Sequence, residues 1–168
     1  SNEGKKLLVG QVKRSSLFSF CLEQANYGQR ISNIELGTGA SDQFSVAFRP
    51  ASNDEVFASL WMSTRVARVN LTTQEVTYYD VGKQPEEMLF LDQDHLVVAG
   101  SLTDSIAIVN LATDEITQVD ADPTTQLPGS NPSTLAYDET AGRLYVTLSG
   151  RNAVSVFNVS FSGASPQL

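Results

Sequence analysis

Apolar and polar residues alternate with a period of two along most of this chain, in short runs separated by polar turns. Such alternation predicts half-buried β-strands rather than helices. Three runs share one shape: Val66 to Thr73 (VARVNLTT), Ile106 to Thr113 (IAIVNLAT) and Val154 to Ser160 (VSVFNVS). Each is an alternating strand that runs into Asn and a turn, and each follows a second strand after a short polar gap. The Asn suits its place because its side chain can hydrogen-bond the backbone two residues on and start the turn.

Counting outward from the repeated Asn gives a four-strand unit. One unit predicts strands at 44–48, 56–62, 65–71 and 75–81, and the next at 88–91, 95–100, 105–111 and 115–120. A later unit holds three, at 133–137, 142–148 and 153–159, and then a loose tail through Ser162 to Pro166. The chain opens on three more, near 7–10, 17–22 and 31–36, with Cys21 in the place of the repeated Asn. Gly82 and Gly142 stand where turns favour positive φ. Asn70 and Asn110 lie 40 residues apart, whereas Asn110 and Asn158 lie 48 apart, so residues are inserted around Asp120 to Gly129.

A repeat of about 40 residues carrying four strands is the signature of a β-propeller. The expectation is therefore an all-β chain, a single partial propeller over 1–168 with blades near 5–37, 44–82, 84–120 and 131–160. In strands this amounts to about three and a half blades of four-stranded antiparallel sheet. Propellers commonly close with roughly four to eight blades, so the ring is expected to be completed by a second copy or by blades on another chain.

The last unit runs NPSTLAYD from Asn131 to Asp138 and then GRLYVTLSGRNAVSVFN from Gly142 to Asn158. It resembles the YVTN-type propeller repeat, whose pattern is Pro, an apolar inner strand, a Gly turn, Tyr-Val-Thr-Asn, a polar loop and Val-Ser-Val-Ile-Asp. Leu148 replaces the last Asn of that motif, and Asn158 takes the place of its Asp. The preceding unit matches more loosely from Gln84-Pro85 to Asn110. The resemblance implies a seven-bladed ring of the surface-layer or lactonase-like kind. The lactonase-like relatives use acidic or His residues at the ring centre, and no such motif matches here by position.

Net charge narrows the partners. Nineteen acidic against 11 basic residues give −8, which argues against nucleic acid, since phosphate neutralisation needs clustered Lys and Arg. No apolar run approaches the roughly 18 residues of a spanning helix, so membrane insertion is not expected. Ser1-Asn2 looks like a processed start, and the expected residence is periplasmic, cell-surface or secreted. Cys21, the single cysteine, sits in an apolar stretch and is expected to be a buried thiol.

Ligands of such folds meet the loops between second and third strands and the connections between blades. The long connection from Asp120 to Pro132 is the leading candidate, because excess loop length is where binding function concentrates. Its acidic residues Asp120 and Asp122, with Asp104 on the neighbouring turn, form one set of candidate contacts. Arg14, Arg65 and Arg151 add a basic rim suited to an anion or carboxylate. Trp61, standing where the other units have Ser101 and Ser149, offers a stacking surface or a blade-to-blade packing group.

Calcium is the one cofactor the pairs Asp120/Asp122 and Asp92/Asp94 bring to mind. It needs six to eight oxygens, and neither pair lies in a recognisable binding loop, so no cofactor is expected. The lone His95 opens a strand beside a turn and is expected at a surface or edge, with no zinc set around it. Two sequons, Asn70-Leu71-Thr72 and Asn158-Val159-Ser160, fall on the turn Asn and are explained by turn chemistry. The expected function is a non-catalytic binding or scaffold module that presents loops to a protein or small-molecule ligand. The alternative is part of a lactonase-like hydrolase with a central carboxylate or metal.

Overall fold

The alternating pattern becomes a row of antiparallel sheets in the computed structural model, which describes residues 4–11, 16–36, 42–125, 127–162 and 165–168. The first sheet holds β1 (Lys6–Gln11), β2 (Ser16–Cys21) and β3 (Arg30–Glu35) in that order. The second holds β4 (Gln43–Phe48), β5 (Glu55–Leu60), β6 (Arg65–Asn70) and β7 (Val76–Asp80). The third holds β8 (Pro85–Phe90), β9 (His95–Gly100), β10 (Ser105–Asn110) and β11 (Glu115–Asp120). The fourth holds β12 (Pro132–Asp138), β13 (Arg143–Leu148) and β14 (Ala153–Asn158). In all four, neighbours in sequence are neighbours in space, the up-and-down order of a propeller blade. The three and a half blades expected from the strands are thus spread over four sheets, two complete and two of three strands.

The sheets stack face to face, and three apolar layers fill the gaps. Leu17, Ile34, Val56, Ala58, Leu60 and Val69 lie between blades one and two. Phe57, Val66, Leu96, Val98, Ala107 and Val109 lie between two and three. Val97, Ala99, Ile106, Leu135, Leu144 and Val146 lie between three and four. The two central blades are covered on both sides, so β9 is buried along its whole length and is a continuous apolar run after His95. The inner strands β4, β8 and β12 stand side by side, with β1 next to β4.

The repeat is visible in single hydrogen bonds. The residue after the turn Asn donates its N–H to the first hairpin turn of its own blade: Leu71 to Asp54, Leu111 to Asp94 and Val159 to Gly142. Leu22 to Lys5 is the same bond in blade one, which puts Cys21 in the Asn place and buries its thiol. Asn70 Oδ1 accepts from the N–H groups of Thr72 and Thr73, and Asn110 does the same for Ala112 and Thr113.

Two expectations fail. The tail is not loose over its described part, because β15 (Ser160–Ser162) pairs with β16 (Ser165–Gln167) and Leu168 packs against the last apolar layer. His95 is not at the surface. It is 5% exposed, with Nδ1 2.9 Å from both carboxylate oxygens of Asp92 and its ring 6.0 Å from that of Phe161 in the tail hairpin. A capping Asp three residues upstream satisfies the ring, which lets it be buried.

Candidate functional site

The turns between second and third strands and the connections between blades fall on one face and are tied together by main-chain bonds. Val81 donates to the Thr64 carbonyl, Ser101 to Gln84, Ala121 to Asp104 and Gly150 to Ser130. On this face the inserted connection, described at residues 121–125 and 127–131, lies between blade three and blade four. It borders a cleft of about 360 Å³ lined by Thr103, Asp104, Asp120, Asp122, Leu127 and Ser130, among others.

Asp104 ends the β9–β10 turn with φ of 55°, a left-handed conformation that Asp tolerates better than most residues. Its carboxylate reaches across to the connection. Oδ2 accepts from the Gly129 N–H at 2.7 Å, and Oδ1 accepts from the Ser130 hydroxyl and the Asn131 N–H, each at 2.9 Å. Burial pushes this carboxyl up, but the donors around it outweigh burial and hold it below the ordinary value.

Arg151 grips the connection from the other side. Its Nη2 donates to the carbonyls of Leu127, at 2.6 Å, and Pro128, at 3.0 Å. Its Nε is buried and faces Asp122 Oδ2 at 3.6 Å, an ion pair rather than a hydrogen bond. Asp122 is itself buried and accepts from the Thr124 hydroxyl at 2.6 Å, and its N–H donates to Asp120 Oδ1. Gly150 lies so close beneath the connection that a Cβ there would sit 2.0 Å from the Gly129 carbonyl oxygen. Leu127, by contrast, is exposed at the rim, as is Leu102 on the adjoining turn.

Four of the sequence candidates, Asp104, Asp120, Asp122 and Arg151, therefore meet around one connection. The other two described candidates do not line the cleft. The Trp61 indole donates to Glu86 at 3.3 Å, from blade two to blade three. The Arg65 guanidinium lies 4.4 Å from the Tyr78 ring centroid, a cation–π contact within its own blade. Arg14 lies outside the described residues. Among those described, no group of three or more His, Cys, Asp or Glu side chains is disposed to hold a metal ion.

Sequence reading missed a second polar cluster on the opposite face. Glu55 accepts from Arg49 at 2.7 Å and also from Arg68. Arg49 reaches Asp94 of the next blade, and the Tyr79 hydroxyl accepts from Arg68 while donating to Asp114 at 2.6 Å. Burial raises the Glu55 carboxyl, and the two guanidinium groups overcome that and lower it. Arg49, Glu55, Arg68 and Tyr79 belong to blade two, and the offset of about one repeat brings Asp94 and Asp114 of blade three to them.

No family model and no curated protein sequence matches the chain. Solved structures do match its fold. A streptogramin B lyase is 15% identical, with TM-score 0.75 over 93% of this chain and 49% of that one. A putative 6-phosphogluconolactonase from Bacteroides uniformis is 12% identical, with TM-score 0.74 over 99% and 54%. The Cps50 (Swd1) β-propeller domain from Myceliophteria thermophila is 17% identical, with TM-score 0.72 over 95% and 50%. At such identities the likeness shows the propeller fold alone. The chain spans about half the length of these structures.

Proposed function

We propose that the chain is a non-catalytic binding or scaffold module of the YVTN-like propeller kind, working outside the cytoplasm. Its ligand contacts are centred on the 121–131 connection. The observation that carries this reading is the use made of the candidate side chains. Asp104 spends three acceptor positions, and Arg151 two donors, on holding the connection, while Asp122 accepts from the Thr124 hydroxyl and faces Arg151. A catalytic carboxylate needs a free lone pair aimed at substrate, whereas a binding loop gains from being held rigid before contact. What the connection offers outward is the cleft and the apolar rim of Leu127 and Leu102, suited to a ligand with both polar and apolar parts.

The hydrolase reading keeps a claim because the fold is shared with a protein described as a putative 6-phosphogluconolactonase. The two readings separate on one assay. The protein is incubated with glucono-δ-lactone, with and without added calcium, and acid release is followed in a pH-stat. The binding reading expects no release above the buffer rate. Release that falls when Asp122 is replaced by Asn overturns it in favour of the hydrolase.

A further inference from the structure

The loop face repeats a side-chain position as well as a turn. Trp61, Ser101 and Ser149 donate their N–H groups to the carbonyls of Asp42, Gln84 and Asn131, so the residues that follow them, Met62, Leu102 and Gly150, are equivalents. Met62 and Leu102 are each 56% exposed. Blade four has no side chain at that position, where the Gly129 carbonyl of the connection lies. The connection brings its own apolar residue instead. Leu127 is 67% exposed, and its carbonyl is held by Arg151 of the same turn. Three successive blades thus each present one exposed apolar side chain on one face. Apolar residues scattered singly over a surface are ordinary, whereas a repeated placement on one face marks a contact surface.

The gap between Leu102 and Leu127 is the cleft of about 360 Å³, and it is acidic, with Asp104, Asp120 and Asp122 in its lining. Among the described residues Asp122 has Arg151 as its ion-pair partner, and Asp104 and Asp120 have none. Asp120 is exposed. Its Oδ1 accepts from the Asp122 N–H, and its other oxygen has no partner among the described residues. The gap between Met62 and Leu102 holds the exposed Lys83 instead, whose carbonyl accepts from the Leu102 N–H. The two gaps are therefore unlike in charge, and only the second suits a cation.

We infer that this face docks an extended peptide segment of a partner protein that sets one basic residue between apolar ones, an inference resting on the binding reading of the same connection. The apolar side chains lie on Met62, Leu102 and Leu127, and the Lys or Arg enters the cleft and donates to Asp120. Stacked sheets pack about 10 Å apart, so three turns span about 20 Å, and an extended chain rising about 3.3 Å per residue crosses them in about six residues. A small molecule seated in one cleft does not reach across three blades, and a peptide does. Burial of the apolar side chains supplies affinity, and the charge in the acidic gap fixes the register.

The test is isothermal titration calorimetry with a peptide of about seven residues, enough to cross the three turns. It is acetylated and amidated, and it carries spaced leucines with a single lysine between the last two. Saturable one-to-one binding is expected. Met62→Ser, Leu102→Ser, Leu127→Ser and Asp120→Asn, all at exposed positions, keep native circular dichroism. Each weakens binding about ten-fold, the loss that truncating an interface anchor brings. Tyr27→Ser, at an exposed residue of the opposite face, leaves binding unchanged. Replacing the peptide's lysine by glutamate, or its leucines by serine, abolishes binding. Absence of saturable binding overturns the inference, as does binding left unchanged by any of the four substitutions or by either altered peptide. Acid release in the lactone assay is the separate result that overturns the binding reading.

Discussion

Asp104 shows how far one residue on the loop face is committed to structure. Its carboxylate holds three donors of the connection, and hydrogen bonds to a charged group contribute about 1.5–3 kcal/mol each. Asp104→Asn keeps the shape and the tolerance for positive φ but removes the charge, so it is expected to cost about 1–2 kcal/mol at neutral pH. Because its folded-state pKa is lowered, the stability it contributes is present above the unfolded carboxylate value and is lost as pH falls through the folded one. Urea melts from pH 7 downward should therefore show a gap between wild type and Asp104→Asn that narrows as the pH falls through the lowered carboxyl value. Asp92 follows the same sign. Burial raises it, and the His95 ring with the N–H groups of Asp94 and His95 lowers it further than burial lifts it. Sequence reading placed His95 at a surface or edge because it opens a strand beside a turn. Its partner, Asp92, was three residues away, in a position that also caps the turn.

At the scale of the element, strands were legible because alternation is a local property. Every one of β1 to β14 lies where the pattern put it, to within a few residues at the ends. The tail hairpin was not legible, since Ser162 to Pro166 has turn composition and the contact of Phe161 with His95 joins residues distant in sequence. The inserted connection was legible as excess length, but what shapes it was not. Gly150 is its tightest constraint, and Gly150→Ala is expected to push the connection off the β13–β14 turn and cost about 1–3 kcal/mol. A shift in thermal midpoint together with faster amide exchange at residues 127–131 would report it, and an unchanged midpoint would contradict the close approach. In the layers between blades, Leu144 is fully buried, and Leu144→Ala should cost about 2–5 kcal/mol in a denaturant melt.

At the scale of the whole molecule, the fold class came from the repeat period, while the polar ties between blades did not. Arg49 to Asp94 and Tyr79 to Asp114 join residues separated by about one repeat, and a single sequence does not say which of many charges meet. The candidate site was half legible for the same reason. The sequence pointed to the loop carrying Asp120 and Asp122, but the clamps from Asp104 and Arg151 depend on how neighbouring blades are placed. The sheets stack with matched apolar faces. The account's central claim is that the 121–131 connection is held in place by Asp104 and Arg151 as a pre-set binding surface. Amide hydrogen exchange of the purified protein tests that claim most directly. The account predicts slow exchange at the Gly129 and Asn131 N–H groups that becomes fast in Asp104→Ala while the strands of blade three stay protected. Fast exchange at both groups in the wild type would contradict it.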